Sequence, residues 1–77
     1  MEKINNKNET PEARFKRIAE ARTNAVLDRL RILGNLSNRQ MYRYTEEDVE
    51  KIFSAINKQV KKVRSKFHFS NKERFKL

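Results

Sequence analysis

The sequence predicts an all-α protein, an antiparallel two-helix hairpin that dimerises into a four-helix bundle. Two segments, residues 11–33 and 46–67, carry apolar residues at helical spacing, and a turn-forming connection over residues 34–45 separates them. The apolar stripe of the second helix matches one of two stripes on the first. The other stripe of the first helix has no partner within the chain, and a second copy is its simplest cover.

The chain is short and contains no disulfide. With 77 residues and no Cys, it allows one small domain. A core of this size rarely supplies more than about 3–5 kcal/mol by itself, so tight helix packing or oligomerisation is expected. The absence of Cys fits a cytoplasmic protein. The polar start MEKINNKNETPE is not a secretory signal, no apolar run is long enough to cross a bilayer, and a membrane partner is not expected.

The second helix has the most regular pattern. Its apolar residues recur at intervals of three and four and form a single stripe. They are Val49, Ile52, Phe53, Ile56, Val60, Val63 and Phe67. Thr45 is the expected N-cap, and Asp48 occupies the reciprocal position of a capping box. Acidic residues crowd the first turns and basic residues the last, which complements the helix dipole at both ends.

The first helix is expected to begin with Thr10 as N-cap and Pro11 as its first residue. Gly34 is the expected C′ residue just past its end. The residues before it, 1–10, are rich in Asn, Lys and Glu. They cannot bury enough apolar surface to order themselves and are predicted to form a disordered arm.

Two adjoining apolar stripes run along the first helix. The first consists of Phe15, Ala19, Val26, Leu30 and Leu33, and the second of Ile18, Ala21, Ala25, Ile32 and Leu36. The first stripe matches the second helix in one antiparallel register. The facing pairs in that register are Phe15–Phe67, Val26–Ile56 and Leu33–Val49. The second stripe is the predicted dimer interface, built on Ile18, Ala25, Ile32 and Leu36.

Arg22 and Arg29 lie between the two stripes, seven residues apart, and therefore stack on one side of the helix. Two inward arginines could grip a carboxylate or a phosphate through bidentate contacts. In the structural alternative, their aliphatic stems cover the seam and their charged heads reach solvent, or they set the register of a dimer. The sequence favours the structural alternative and leaves ligand binding open.

The connection over residues 34–45 combines turn formers with more apolar residues than a passive loop needs. One interpretation is a cap over the open end of the bundle. The other is a surface on which nucleic-acid bases stack, because tyrosines alternate with arginines there. The residues expected to stack or to contact a partner are Arg39, Tyr42, Arg43 and Tyr44, together with Phe69 in the C-terminal tail.

The net charge of +9 is concentrated at the C-terminal end. Residues 1–57 hold eleven Lys/Arg and nine Asp/Glu, whereas residues 58–77 hold eight Lys/Arg and one acid, a balance of +7. Such a block favours nucleic acid, anionic lipid or an acidic protein. The structural alternative is a solubilising tail that also complements the helix dipole. The residues expected to bind nucleic acid are Lys58, Lys61, Lys62, Arg64 and Lys66, with Lys72 and Arg74 in the basic, aromatic tail over residues 68–77.

Three strings give the sequence a family likeness: RFKRIAEARTNAVLDRLRILGNLSN, YRYTEEDVEKIFSAI and KVRSKF, which together span residues 14–67. They resemble small uncharacterised proteins encoded on plasmids, phages and conjugative elements of Gram-positive bacteria. The turn LGNLSN and the helix start Y-x-Y-T-E-E-D-V are the most specific parts. The resemblance implies an accessory role in regulation, in DNA processing during transfer, or in countering host defence.

The pattern of residues favours binding over catalysis. No nucleophile–base pair, metal-ligand set or phosphate-binding loop is present, so neither an enzyme nor a cofactor is expected. His68 is the single His and is interpreted as an exposed residue beside a helix end. The leading hypothesis is a basic accessory protein that binds nucleic acid. The alternative is an adaptor or inhibitor that binds a protein or nucleoprotein through the first helix or the loop.

Overall fold

The structure, a computed structural model, describes residues 8–69. Over that range the chain is all helical, with two α-helices, a short 3-10 helix between them and no strand. This confirms the predicted all-α class with two helices. The chain divides into two compact units, Met1–Tyr42 and Arg43–Leu77.

Helix α1, Pro11–Gly34, begins as its sequence predicts. The Thr10 hydroxyl accepts a hydrogen bond from the Ala13 N–H at 3.0 Å, and the Thr10 carbonyl accepts one from the Arg14 N–H at 2.9 Å. Pro11 occupies the first helical position, where its missing N–H leaves no donor unsatisfied. The predicted N-cap is therefore confirmed.

The end of α1 differs from the expectation for Gly34. Gly34 is the last helical residue, with φ −62° and ψ −21°, and no described residue has a positive φ. The Asn35 N–H donates to the Ile32 and Leu33 carbonyls, and the backbone continues as a 3-10 helix over Asn35–Ser37. The expectation of a C′ glycine was wrong, because tighter 3-10 hydrogen bonds satisfy the terminal carbonyls without a left-handed residue.

Asn38 organises the turn after the 3-10 helix. Its side-chain oxygen accepts a hydrogen bond from the Gln40 N–H at 2.9 Å. Its carbonyl accepts from the Met41 N–H at 3.1 Å and from the Tyr42 N–H at 3.0 Å. An Asn side chain that bonds the backbone two residues on replaces a helical hydrogen bond and holds residues 39–41 in a defined turn.

Helix α2, Glu46–Arg64, begins with both halves of the predicted capping box. The Thr45 hydroxyl accepts from the Asp48 N–H, and the Asp48 carboxylate accepts from the Thr45 N–H, each at 3.0 Å. Asp48 is long enough to close the box even though Glu or Gln is commoner there. The capping interpretation of this helix start is confirmed.

The end of α2 lies at Arg64, three residues before the predicted end at residue 67. The Ser65 hydroxyl donates to the Lys62 carbonyl at 2.7 Å. The Lys66 and Phe67 N–H groups donate to carbonyls only three residues back, at 3.0 and 3.1 Å. A serine that bonds the preceding turn competes with helix continuation, so the last residues tighten into a turn instead of extending the helix.

Side chains are exposed along both helices. Over residues 8–69 none is buried, and the half-buried residues are Glu9, Ile18, Ala19, Leu33, Tyr44, Val49 and Ile56. Residues 1–7, most of the predicted disordered arm, lie outside the described residues. Residues 70–77, most of the predicted basic tail, lie outside them as well. No helix in the described part of the chain is long and apolar enough to span a membrane.

Candidate nucleic-acid interface

Three lysines occupy the side of α2 that lies opposite its apolar stripe. Lys58, Lys61 and Lys62 follow one another within a single helical turn, and all three are exposed. Lys58 and Lys62 are four residues apart, so their Cα atoms lie one above the other at a separation of about 6 Å along the axis. The three ammonium groups therefore share one small patch of the helix surface, which we call the lysine patch.

No acid among the described residues compensates the charge of the lysine patch. The sequence holds no Asp or Glu between Glu50 and Glu73. Within the described range, no acidic side chain forms an ion pair with Lys58, Lys61 or Lys62. Since Lys is a point charge on a flexible stem, an unpaired lysine on a helix surface can follow an anionic partner of variable geometry.

The first half of the same helix face has a different electrostatic character. There the Lys51 ammonium lies 3.9 Å from the Glu47 carboxylate, in the i,i+4 arrangement that favours an ion pair. Both side chains remain well exposed, so the pair contributes little to stability. It does lower the net positive charge beside it, which confines the uncompensated charge to the C-terminal half of α2.

The remaining basic residues of the predicted site lie elsewhere. Arg64 ends α2 at the border of the apolar stripe, and Lys66 lies in the turn beyond the helix. Lys72 and Arg74 lie outside the described residues. Of the seven basic residues predicted to bind nucleic acid, only those of the lysine patch share one face of α2.

The predicted aromatic and arginine contacts are divided between the two units. Arg39 and Tyr42 belong to the turn of the first unit, where Tyr42 is 41% exposed. The exposed Arg43 and the half-buried Tyr44 begin the second unit. Phe69 lies in that second unit too, two residues beyond the last turn that follows α2, and it is 85% exposed. It is therefore the aromatic side chain of the predicted set that is most open to solvent.

The predicted dimer residues lie along α1 and the 3-10 helix. Ile18 is half-buried and Ala25 exposed, while Ile32 and Leu36 are 48% and 46% exposed. Arg22 and Arg29 are exposed, and neither forms an ion pair with an acid in the described part of the chain. The second stripe of α1 is thus an open apolar surface bordered by two unpaired arginines.

One cluster of charged side chains was not predicted from the sequence. Glu9, just before the N-cap of α1, accepts two hydrogen bonds from the Arg17 guanidinium, at 2.8 and 2.9 Å, and lies 3.8 Å from Arg14. The hydrogen bond from Arg17 lowers the pKa of the Glu9 carboxyl, against a smaller opposing effect of desolvation. The cluster neutralises part of the positive charge of α1. Its only signal was a Glu eight residues before an Arg, a spacing that no helical periodicity rule detects.

The exposed lysines of the lysine patch can bind an anion through their charge. Among the described side chains, no group of three or more His, Cys, Asp or Glu residues could hold a metal ion.

Comparison of the sequence with protein-family models gave no match. Searches of curated proteins and of solved structures likewise found none.

Proposed function

We propose that this chain is a small, basic, non-enzymatic accessory protein of a mobile genetic element that binds nucleic acid in the cytoplasm. The lysine patch carries the proposal, because three exposed cations share one helix face without an acidic partner among the described residues. Counterions released from a polyanion supply most of the affinity of such a surface.

The proposed contacts are to phosphate. Lysines that make no ordered contact with a base edge add affinity that depends weakly on sequence. Their flexible stems let each ammonium move toward a backbone oxygen. The protein would therefore bind many sequences with similar affinity and lose that affinity steeply as salt rises.

An antiparallel hairpin and a homodimer are part of the same proposal. The stripe of α2 and the first stripe of α1 fit one antiparallel register, and both are incompletely covered, with Val26 57% and Val60 56% exposed. The second stripe of α1 would then pair with its copy in a four-helix bundle. A dimer carries two lysine patches, which raises the avidity for a long polyanion if both can be engaged.

The register can be measured directly because the chain contains no native Cys. The double variant Val26→Cys, Ile56→Cys should form an intrachain disulfide under mild oxidation, since these residues face each other in the proposed hairpin. The control variant Val26→Cys, Phe67→Cys should not form one. Crosslinking of the control alone would show that the proposed register is wrong.

The nucleic-acid proposal is tested by removing three positive charges either from the lysine patch or from other exposed positions. One variant carries Lys58→Gln, Lys61→Gln and Lys62→Gln, and the control carries Lys16→Gln, Arg31→Gln and Lys51→Gln. Each lowers the net charge from +9 to +6. Binding of a fluorescent oligonucleotide is followed by anisotropy across a salt series, with helicity checked by circular dichroism.

The patch variant should bind more weakly, and its slope of log affinity against log salt should decrease by about 2 to 3. The control variant should keep a slope close to that of the wild type. Equal losses in both variants would show that net charge alone drives binding. A wild-type protein that fails to bind nucleic acid at low salt, where electrostatic attraction is strongest, would overturn the proposal.

A second candidate is a protein-binding adaptor or inhibitor, for example of a host defence or nucleoprotein complex. Exposed apolar residues at the end of the first unit favour it: Ile32 is 48% exposed, Leu36 46% and Met41 70%. Apolar contacts change little with salt, whereas phosphate contacts weaken. A partner whose binding survives high salt and is lost on substitution of Leu36 or Met41 would favour this function.

A further inference from the structure

Phe69 is the most exposed large apolar side chain of the described residues, at 85%. It is followed along the chain by residues that are outside the described range, and it is preceded by the turn that ends α2. Tyr44, near the start of the second unit, is half-buried. Phe53, on the apolar stripe of α2, is 47% exposed. Phe69 thus stands apart from the stripe that the proposed hairpin would cover.

Phe69 follows the basic end of α2 closely along the chain. Phe69 lies three positions after Lys66, so their Cα atoms are at most about 11 Å apart. Lys62 and Arg64 lie in the last turn of α2, and the backbone turns immediately after them through the hydrogen bonds of Lys66 and Phe67. The sequence holds no Asp or Glu between Glu50 and Glu73, so every charged residue between the start of the lysine patch and Phe69 is basic.

Surfaces that bind single-stranded nucleic acid combine two features, basic side chains and exposed aromatic rings. The cations attract the backbone, and the ring stacks on an unpaired base. In a duplex the face of each base is already stacked on its neighbours, so an isolated ring has nothing to stack on unless the helix is opened.

We propose that the ligand of the basic end of α2 is single-stranded nucleic acid, with Phe69 stacked on one base while the lysine patch contacts neighbouring phosphates. The inference rests on the proposed function, which requires only that some nucleic acid binds. It adds the class of nucleic acid and a residue that contacts the base. Arginine and lysine near a stacked base strengthen the contact because their charge is attracted to both phosphate and π-system.

The ring can be tested because the natural chain contains no Trp. Phe69→Trp creates a single indole at the site, whose fluorescence is quenched when a base stacks on it. The control Leu27→Trp places an indole on α1 at a residue that is 56% exposed and lies outside both apolar stripes. Each variant is titrated at low salt with oligothymidine and with the same strand annealed to its complement.

Oligothymidine should quench the Phe69→Trp indole strongly, the duplex should quench it much less, and neither should quench the Leu27→Trp indole. Binding by Phe69→Leu and by Phe69→Trp is also measured by anisotropy. Phe69→Leu keeps an apolar side chain but removes the aromatic face, and it should weaken single-strand binding by about 5- to 150-fold. Phe69→Trp should bind at least as tightly as the wild type.

Several results would overturn the inference while leaving the proposed function intact. They are oligothymidine binding without quenching of the Phe69→Trp indole, equal affinity for single strand and duplex, or full binding by Phe69→Leu. The last result would show that the aromatic face of Phe69 contributes nothing to binding of the single strand. If the wild type binds neither oligothymidine nor duplex at low salt, both the inference and the proposed function are overturned.

Discussion

Helices α1 and α2 both begin at a threonine cap, yet they distribute charge in different ways. In α2 the acids Glu46, Glu47 and Asp48 lie in the first turn and the bases Lys61, Lys62 and Arg64 in the last. In α1 opposite charges are mixed along the helix and pair locally, as between Asp28 and Arg31 at 3.5 Å and at the Glu9 cluster. This segregation gathers three unpaired lysines on one polar face of α2, whereas the unpaired Arg22 and Arg29 of α1 border its second apolar stripe. The candidate site is therefore placed on α2.

The two helices differ in their apolar surface as well. Helix α2 has one stripe, which a single neighbouring helix can cover. Helix α1 has two, and the second includes Ile32, which is 48% exposed. A helix with one stripe needs one partner and a helix with two needs more, so the proposed dimer is built on α1.

The largest expected effect tests whether the second stripe of α1 differs from a solvated surface. Ile32→Glu should abolish the proposed dimer and give a monomer or an unfolded chain, because it would place a charge in the desolvated seam of that dimer. Leu27→Glu is the matched control, since Leu27 is 56% exposed and outside both stripes. Light scattering over a range of concentrations measures the outcome. A wild-type protein that stays monomeric at high concentration would contradict the dimer.

A smaller effect is expected from the single stripe of α2. Ile56 is the half-buried residue at its centre, and Ile56→Ala should lower the free energy of unfolding by about 2–5 kcal/mol if the proposed hairpin buries it. Chemical denaturation measures the change. The control Leu27→Ala should cost less than about 0.5 kcal/mol, as at an ordinary surface position. Equal small losses at both positions would mean that Ile56 remains exposed in solution.

The caps should show where the two helices are alike. Thr45→Ala removes the acceptor of the Asp48 N–H, and Thr10→Ala removes that of the Ala13 N–H. Each should lower the free energy of unfolding by about 1 kcal/mol, measured by thermal denaturation. Thr45→Ser and Thr10→Ser keep the hydroxyl and should restore most of the loss. No loss in either alanine variant would show that water satisfies these N–H groups equally well.

The end of α1 offers a stabilising change. Gly34 has the backbone angles of a right-handed helix, and a Cβ atom added to it would meet no atom within 4 Å. Gly34→Ala should therefore raise the free energy of unfolding by about 0.4–1 kcal/mol, because alanine restricts the unfolded chain without straining the folded one. Thermal denaturation would measure it. A destabilised variant would indicate that the chain uses a left-handed glycine in solution, as its sequence suggested.

The smallest effect concerns the Glu9 cluster, which distinguishes α1 from α2. The hydrogen bond from Arg17 lowers the pKa of the Glu9 carboxyl below its ordinary value of 4.5. The cluster therefore stabilises the start of α1 fully above that ordinary value, and the stabilisation is lost as the pH falls through the lowered pKa. Carboxyl titration by NMR should show the shift, and Arg17→Gln should return the pKa toward 4.5. An unshifted Glu9 in the wild type would contradict the cluster.

Much of the local structure could be predicted because short-range rules control it. The helical spacing of α2, the Thr10 and Thr45 caps and the turn-forming connection each depend on residues within four positions of one another. The lysine patch follows from the same periodicity, since a helix beginning at Glu46 necessarily places Lys58 and Lys62 on the side away from Val49. The residues of the candidate site could therefore be predicted from the sequence, whereas the exposure of Phe69 could not.

The sequence by itself determined that the chain is helical, where each helix begins, and where its unpaired positive charge lies. The folded structure decided the features that depend on competition between alternative hydrogen bonds. At Gly34 a 3-10 continuation prevailed over a left-handed cap, at Ser65 a side-chain bond ended α2 early, and Arg17 reached back to Glu9. Each choice involves groups of similar strength, and only their positions in space select among them.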